Sequence, residues 1–226
     1  MSNIVIGIEG LVGAGKTAIC RELLNKIPNS IILQGGNLYR AIVYSLMKSG
    51  ISLEQLKQSM KQMDSKAIMD KLKISFKIEN RDTVIYIDGQ KIDEENLQSA
   101  ESSIAVSEMG KIANNSNMYI FGQQIIEQFK KNFNVIVSGR DLMNIYPELD
   151  YHFLITASLE ERIRRKNIQY KGSISEEELR QNIVMRDELQ EKSGFYKKHD
   201  KTIIVDVTDC KTVEESANKV FRYINI

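Results

Sequence analysis

The chain has 226 residues, of which 42% are hydrophobic and 27% are charged, and these values exclude a disordered chain and a coiled-coil rod. Its 31 basic and 30 acidic residues leave a formal net charge of +1, which excludes a global field that would recruit nucleic acid or an anionic membrane. No run approaches the ~18 consecutive apolar residues of a membrane span, and a strand pattern starts near Met1 without a charged and apolar leader, so we expect a cytoplasmic protein.

A buried strand and a helix open the chain. Residues 4–9 form a short apolar run that ends at a glycine, and residues 17–27 carry apolar side chains at helical spacing. Four more continuous apolar runs predict buried strands, at residues 30–33, 134–137, 151–157 and 202–207. Because these strands alternate with helical patterns, we predict an α/β fold with a five-stranded parallel sheet.

A long insertion, residues 35–133, separates the second and third of these strands. In its middle, Ile74, Phe76 and Ile78 alternate with polar residues, a turn follows at residues 79–82, and a second apolar run covers residues 84–87. This pattern predicts a small antiparallel sheet with one solvent-exposed face. Before it, Ser52 and Gln55 have the spacing of a capping box, which predicts a helix.

Two capping boxes predict helices in the last third of the chain. Ser175 and Glu178 open a strongly charged helix. Because few apolar residues hold this segment down, we predict a lid region at residues 158–201. Thr212 and Glu215 open the last helix, whose apolar face is expected to pack on the sheet.

A phosphate-binding loop follows the first strand. Residues 10–17 read GLVGAGKT and match the P-loop pattern between a predicted strand and a predicted helix, which is the context that the motif requires. The backbone N–H groups of such a loop cradle phosphate oxygens, and the candidate cofactor-binding residues are Gly10, Gly13, Ala14, Gly15, Lys16 and Thr17. We expect Lys16 to reach the β- and γ-phosphates of ATP and the Thr17 hydroxyl to coordinate Mg²⁺.

A P-loop indicates a nucleoside triphosphate but not a reaction. The guanine-reading motif of GTPases is missing, because Asn25 and Lys26 continue into Ile27 and Pro28. The signature of transporter ATPases is also missing, so a kinase is the favoured interpretation. A kinase needs cations around its second substrate and around the transferring phosphoryl group, and the chain carries arginines after its predicted strands.

Four further segments resemble bacterial cytidylate kinases. Residues 34–40, QGGNLYR, resemble the segment D-[ST]-G-x-x-Y-R of that family, and residues 138–141, SGRD, resemble its D-G-R-D. Residues 158–165, SLEERIRR, resemble its S-x-E-E-R-x-x-R helix, and Arg186-Asp187 resembles an R-D pair of its lid. The resemblance covers almost the whole chain and implies a P-loop kinase sandwich, a single domain of residues 1–226 in which residues 35–133 form the acceptor-binding lobe.

The resemblance also implies roles for the matching residues. Arg40 and Arg140, each after a core strand, would hold the acceptor's phosphate, with Tyr39 beside them, and Asp141 would bind the acceptor's sugar. Guanidinium groups suit this role because they bind phosphate oxygens bidentately. Three catalytic arginines would close over the transferring phosphoryl group, namely Arg162, Arg165 and Arg186. Arg164 is expected on a solvent-exposed face.

The chain departs from the family's pattern in the acceptor segments. The departures are Gln34, Gly35, Ser138, Gln190 and Ser193, and in addition Glu9-Gly10-Leu11 replaces the family's D-G-P. The favoured function is ATP- and Mg²⁺-dependent phosphoryl transfer to a nucleoside monophosphate, with CMP or dCMP preferred. The alternatives are a P-loop kinase of another small acceptor and a nucleotide-binding regulator without transfer activity. The sequence does not indicate an oligomeric state.

We expect the two histidines and the two cysteines to have structural roles and not to bind a metal. His152 lies in an apolar strand and His199 in a charged loop, without a carboxylate or cysteine partner at ligand spacing, so we expect neither to bind a metal. Cys20 and Cys210 lack the spacing of a metal or redox site and are predicted to be small buried hydrophobic residues.

Overall fold

The computed structural model describes residues 2–50, 55, 65–93, 97, 116–192, 194–196 and 198–226. Its strands are β1 (Val5–Gly10), β2 (Ser30–Gln34), β3 (Ile74–Glu79), β4 (Asp82–Ile87), β5 (Gln90–Lys91), β6 (Asn134–Ser138), β7 (Tyr151–Thr156) and β8 (Thr202–Asp206). Its helices are α1 (Lys16–Lys26), α2 (Gly35–Ser49), α3 (Ser65–Lys71), α4 (Ser116–Lys130), α5 (Leu142–Ile145), α6 (Leu159–Gln169), α7 (Glu176–Lys192) and α8 (Val213–Phe221).

One sheet contains these strands, in the order β3-β4-β2-β6-β1-β7-β8, with β5 paired to β4. The five strands predicted from apolar runs, β2, β6, β1, β7 and β8, are parallel neighbours, which confirms the α/β class and the parallel core sheet. β1 lies between β6 and β7, so the order in which the chain adds strands to the sheet reverses beside β1. Open α/β sheets bind their ligands at such a switch point.

Apolar side chains cover both faces of the core sheet, which is why its strands read as continuous apolar runs. On one face Val5 and Leu33 pack with residues of α2 and α4. On the other face Ile6 and Ile8 pack with residues of α1 and α8. Cys20 and Cys210 are buried in this second cluster, as predicted.

The predicted hairpin forms, but it continues the main sheet instead of standing apart as a small sheet of its own. β3 and β4 pair antiparallel around Asn80 and Arg81, whose φ values of 49° and 65° are those of a tight hairpin turn. β4 then runs parallel to β2, with Ile32 opposite Asp82. The alternation predicted that Ile74 and Ile78 lie on one buried face. Ile74 is buried, whereas Ile78 near the turn is 39% exposed.

Capping residues begin two of the helices as predicted. The Glu178 N–H donates to Ser175 Oγ at 3.2 Å, and the Glu215 N–H donates to Thr212 Oγ1 at 3.1 Å. Such caps contribute about 1 kcal/mol each. Ser52, Ser193 and the helix predicted from Ser52 and Gln55 lie outside the described residues, apart from Gln55 itself, which is helical.

Helix α7, which lies in the predicted lid region, contacts the phosphate loop. Leu179 and Ile183 are buried against Val12 of the loop and Ile163 of α6. Burying a Leu or Ile side chain contributes about 1.5–3 kcal/mol, so this small cluster holds α7 over the loop. Among the described residues, no helix is long and apolar enough to cross a membrane.

Candidate active site

The phosphate loop runs from the end of β1 to the start of α1, as the motif requires. A Cβ atom at Gly10 would lie 2.3 Å from the carbonyl oxygen of Ile155, so only glycine fits beside β7. Gly15 has a φ of 95°, in the left-handed region that favours glycine. The two glycines therefore shape a tight loop that leads into the N-terminus of α1, where backbone N–H groups can bind a phosphate.

Lys16 lies folded back onto this loop. Its Nζ donates hydrogen bonds to the carbonyl oxygens of Gly10 at 2.8 Å and Leu11 at 3.0 Å. Desolvation by burial, and next the positive charge of Arg140, lower the pKa of Lys16 well below its ordinary value, to about 7. Because phosphate oxygens stabilise the ammonium form, a bound triphosphate would raise this pKa again.

The lowered pKa predicts that ATP binding takes up a proton. At about pH 8 the free Lys16 amine is mostly neutral, so binding should take up roughly one proton as the phosphates restore its charge. Below about pH 6 the free amine is already protonated, and this uptake should disappear. Calorimetry in buffers of different ionisation enthalpy measures the uptake.

Lys16→Arg is the matched control for this measurement, because a guanidinium keeps its charge throughout this pH range. We expect no uptake from it at about pH 8. Equal uptake by this variant, or none by the wild type, would contradict the assignment of the proton to Lys16.

A cleft of about 940 Å³ opens beside the phosphate loop. It is lined by three of the predicted arginines and by the segment before α8; the arginines are Arg140, Arg165 and Arg186. Thr17 lines the same cleft and is exposed. The described residues contain no group of three or more His, Cys, Asp or Glu side chains that could hold a metal. A Mg²⁺ ion would therefore depend on the Thr17 hydroxyl and the nucleotide's own phosphates.

Positive charges crowd the side of the cleft around Arg140, where the acceptor is expected. Desolvation lowers the pKa of Arg140, and the nearby charges of Arg186 and Arg40 lower it further, against an opposite effect of Tyr196. The guanidinium carbon of Arg140 lies 5.9 Å from the ring centre of Phe195. Holding these cations together costs free energy that a bound anion would recover. Arg40 and Arg140, predicted from different strands, are close enough for their charges to interact, but of the two it is Arg140 that lines the cleft. Tyr39 and Asp141 are also absent from the residues that line it.

Asp141 is held between two side chains on this side. Its Oδ1 accepts a hydrogen bond of 2.6 Å from Asn144 Nδ2, and its Oδ2 accepts one from the Tyr119 hydroxyl. Burial, and next the neighbouring Tyr119 and Asp141, raise the pKa of Tyr39, so Tyr39 belongs to the same cluster. Tyr119 was not predicted, because nothing in the local pattern of α4 connects it with a residue 22 positions away.

Arg162 corrects one prediction. It was expected to close over the transferring phosphoryl group, but it is only 6% exposed, and its guanidinium donates to the carbonyl oxygens of Ala157 at 3.1 Å and Val12 at 3.2 Å and also to Asp187. It is absent from the cleft lining. These bonds fix the phosphate loop, so Arg162 is placed as a positioning residue.

Arg165 both lines the cleft and holds the phosphate loop. It lines the cleft, and its guanidinium donates to Ala14 O at 3.0 Å, to Val207 O at 2.8 Å and to Glu161 Oε1 at 2.7 Å. It therefore joins the phosphate loop to the end of β8. Arg164, whose side chain is 55% exposed, pairs with Glu161, as expected for a solvent-facing residue.

Asp187 joins helix α7 to the phosphate loop. Its Oδ1 accepts a hydrogen bond of 3.1 Å from the Val12 N–H, and its Oδ2 accepts one from Arg162. Arg186, the preceding residue, lines the cleft. The docking of α7 through Asp187 thus sets where Arg186 can reach.

A buried carboxylate precedes the phosphate loop. Glu9 Oε1 accepts a hydrogen bond of 2.6 Å from the Leu142 N–H, directly after Asp141. It also lies 3.2 Å from Nε2 of His152, and both side chains are less than 5% exposed. Sequence reasoning found no partner for His152, since Glu9 lies on a different strand and only the fold joins them.

Three of the departures from the family pattern interact with neighbouring side chains, namely Gln34, Ser138 and Gln190. Gln190 accepts a hydrogen bond from the Tyr196 hydroxyl, and Gln34 Nε2 donates to Asp82 Oδ2 at 3.3 Å. Burial raises the pKa of the Cys20 thiol to about 12, and the neighbouring Ser138 side chain opposes this shift. The glutamine amides at positions 34 and 190 are thus already engaged with neighbours.

Comparisons with known proteins agree over nearly the whole chain. A family model described as cytidylate kinase matches residues 6–226. The cytidylate kinase of Clostridioides difficile (strain 630) is 33% identical over 232 residues and covers 100% of both chains. The cytidylate kinase of Aquifex aeolicus (strain VF5) is 30% identical over 229 residues, which cover 97% of this chain and 95% of that protein. The crystal structure of TT1252 from Thermus thermophilus covers 100% of both chains at 16% identity, with a TM-score of 0.46.

Proposed function

The chain belongs to the cytidylate kinase family and is a phosphate-transferring enzyme, and we propose that it transfers the γ-phosphoryl group of ATP, with Mg²⁺, to the 5′-phosphate of CMP or dCMP. The observation that carries this proposal is the position of Arg140. It lines the cleft beside Lys16, and its charge interacts with that of Arg40, so one cation would border both substrates.

The donor phosphates would lie in the loop of residues 10–17. The loop N–H groups and the N-terminus of α1 bind their oxygens, and Lys16 exchanges its carbonyl partners for the β- and γ-phosphates. Mg²⁺ would be held by Thr17 and the phosphates, and it would neutralise charge that develops on the transferring group. The segment before α8, which lines the far end of the cleft, would border the nucleoside of ATP.

The acceptor would lie across the cleft from ATP. Arg40 and Arg140 would bind its phosphate through charge-assisted hydrogen bonds. Asp141, already oriented by Tyr119 and Asn144, would accept hydrogen bonds from the sugar, with Tyr39 packed behind it.

Transfer itself needs positioning and charge stabilisation more than covalent participation by the protein. Lys16 and Arg186 would stabilise the charge on the transferring phosphoryl group. Arg162 and Asp187 would hold the loop and the lid helix in the arrangement that brings Arg186 to the cleft. Residues 35–133 are proposed as the acceptor-binding lobe and residues 158–201 as the lid of this single domain, which acts on a nucleotide pool in the cytoplasm.

A kinase of another small acceptor is the second candidate. It is favoured by Gln34 and Gln190, whose amides bind Asp82 and Tyr196 and replace polar groups of the family pattern. An acceptor site that recognises a base must leave polar groups for that base.

An acceptor panel separates these candidates. We expect turnover of CMP and dCMP with a preference over UMP or AMP below about 10²-fold in kcat/KM, because Arg40, Arg140 and Asp141 bind groups common to all monophosphates. ADP release at fixed ATP and Mg²⁺ measures the ratios. A CMP preference above roughly a thousandfold would show that other residues read cytosine, and turnover of a non-nucleotide acceptor alone would favour the second candidate.

A further inference from the structure

The hairpin turn between β3 and β4 is anchored to the start of β2. The Arg81 guanidinium donates to Ile27 O at 2.8 Å and Ser30 O at 2.9 Å. The Ile32 N–H donates to the Arg81 carbonyl oxygen at 2.9 Å. These bonds fix the register between the hairpin and β2, and therefore the position of the next residue, Asp82.

Asp82 begins a row of side-chain hydrogen bonds that ends at an acceptor-site arginine. Its Oδ2 accepts from Gln34 Nε2 at 3.3 Å. Gln34 Oε1 accepts from Asn37 Nδ2 at 3.1 Å. Asn37 Oδ1 accepts from Arg40 Nη1 at 3.3 Å, and Asn37 is only 9% exposed.

The two ends of this row set its direction. A carboxylate can only accept hydrogen bonds and a guanidinium can only donate them. Gln34 must therefore turn its NH₂ group toward Asp82, and Asn37 must turn its oxygen toward Arg40. Each amide has one favoured orientation, and the row as a whole holds the guanidinium.

We propose that Asp82, Gln34 and Asn37 are positioning residues that orient Arg40 for the acceptor's phosphate. This inference rests on the proposed function, in which Arg40 binds that phosphate. Along this row two neutral amides separate the carboxylate from the guanidinium, so an amide oxygen and not a carboxylate holds Arg40 at that contact. The hairpin thereby supplies an acidic group to the strand end that carries Gln34.

A charge-exchange pair of variants tests the row. Gln34→Glu places a carboxylate against Asp82 and removes the donor between them, so we expect the KM for CMP to rise about tenfold, with the KM for ATP changed less than about twofold. Adding Asp82→Asn restores a donor and an acceptor at the same contact and returns the net charge to that of the wild type. We expect the double variant to recover most of the affinity for CMP.

Asp88→Asn provides the matched control. Asp88 follows the same strand β4 at its far end, has a side chain 71% exposed and pairs with Lys73. Gln34→Glu with Asp88→Asn has the same net charge as the double variant but lacks the restored contact, so it should not recover. Equal recovery by both double variants would overturn the proposal.

A second measurement does not depend on turnover. Nitrogen-15 NMR of the Arg40 guanidinium, assigned with Arg40→Lys, reports rotation about its Nε–Cζ bond. We expect faster rotation in Gln34→Glu and in Asn37→Ala, and slow rotation again in the Gln34→Glu/Asp82→Asn variant. Unchanged rotation in Asn37→Ala would overturn the proposal that this row orients Arg40. If slow rotation returned in the double variant but no monophosphate was turned over, the proposed function would be refuted, and the inference that this row orients Arg40 would still hold.

Discussion

Lys16→Ala is expected to lower kcat by about 10²-fold or more, the loss that follows removal of one preorganised electrostatic group. The ammonium group is proposed to stabilise charge on the transferring phosphates, and in the part of the chain that the structure describes it hydrogen-bonds the carbonyl oxygens of Gly10 and Leu11. Because its pKa is already lowered by burial, removing this side chain should not destabilise the fold. Steady-state turnover and thermal unfolding measure the two effects.

Lys131→Ala is the control for a lost lysine, since Lys131 is exposed and follows α4 away from the cleft. It should keep normal turnover. A Lys16→Ala variant that stays folded and turns over normally would contradict the nucleotide site.

Arg140→Ala is expected to reduce kcat/KM for the acceptor by at least about tenfold, because a charge-assisted hydrogen bond to phosphate is lost at a cost of about 1.5–3 kcal/mol. The same change should raise the pKa of Lys16, which the charge of Arg140 lowers. Proton uptake on ATP binding should therefore begin at a higher pH than in the wild type. Kinetics with varied CMP and calorimetry with ATP measure the two results.

Arg222→Ala removes an exposed arginine at the end of α8 and serves as the control. It should change neither quantity. If Arg140→Ala weakened ATP binding and left kcat/KM for the acceptor unchanged, Arg140 would belong to the donor site alone.

Local patterns were sufficient to predict the core of the fold and the phosphate loop. The five core strands are continuous apolar runs because both faces of the sheet are covered. The loop of residues 10–17 is one continuous segment, so its glycines, Lys16 and Thr17 are visible as a motif. The resemblance implied that Arg40 and Arg140 bind one phosphate, and their positions after core strands agree with this because the carboxyl ends of parallel strands share one edge of the sheet.

Contacts between distant segments were not predictable in the same way. Arg162 carries the residue type expected of a catalytic arginine, but its partner Asp187 lies 25 positions later on another helix. Whether a helical arginine reaches the cleft or the loop depends on how the two helices pack. The hairpin shows the same limit, since its alternation predicted two strands but not their docking on β2 through Arg81.

The fate of the γ-phosphoryl group tests the central claim most directly. ATP labelled at its γ-phosphate is incubated with CMP, Mg²⁺ and the wild-type protein, and labelled CDP and inorganic phosphate are separated and counted beside ADP. We expect labelled CDP to form in equal amount with ADP, and its formation to require Lys16. Release of ADP with the label in inorganic phosphate, and none in CDP or in dCDP when dCMP replaces CMP, would contradict the account.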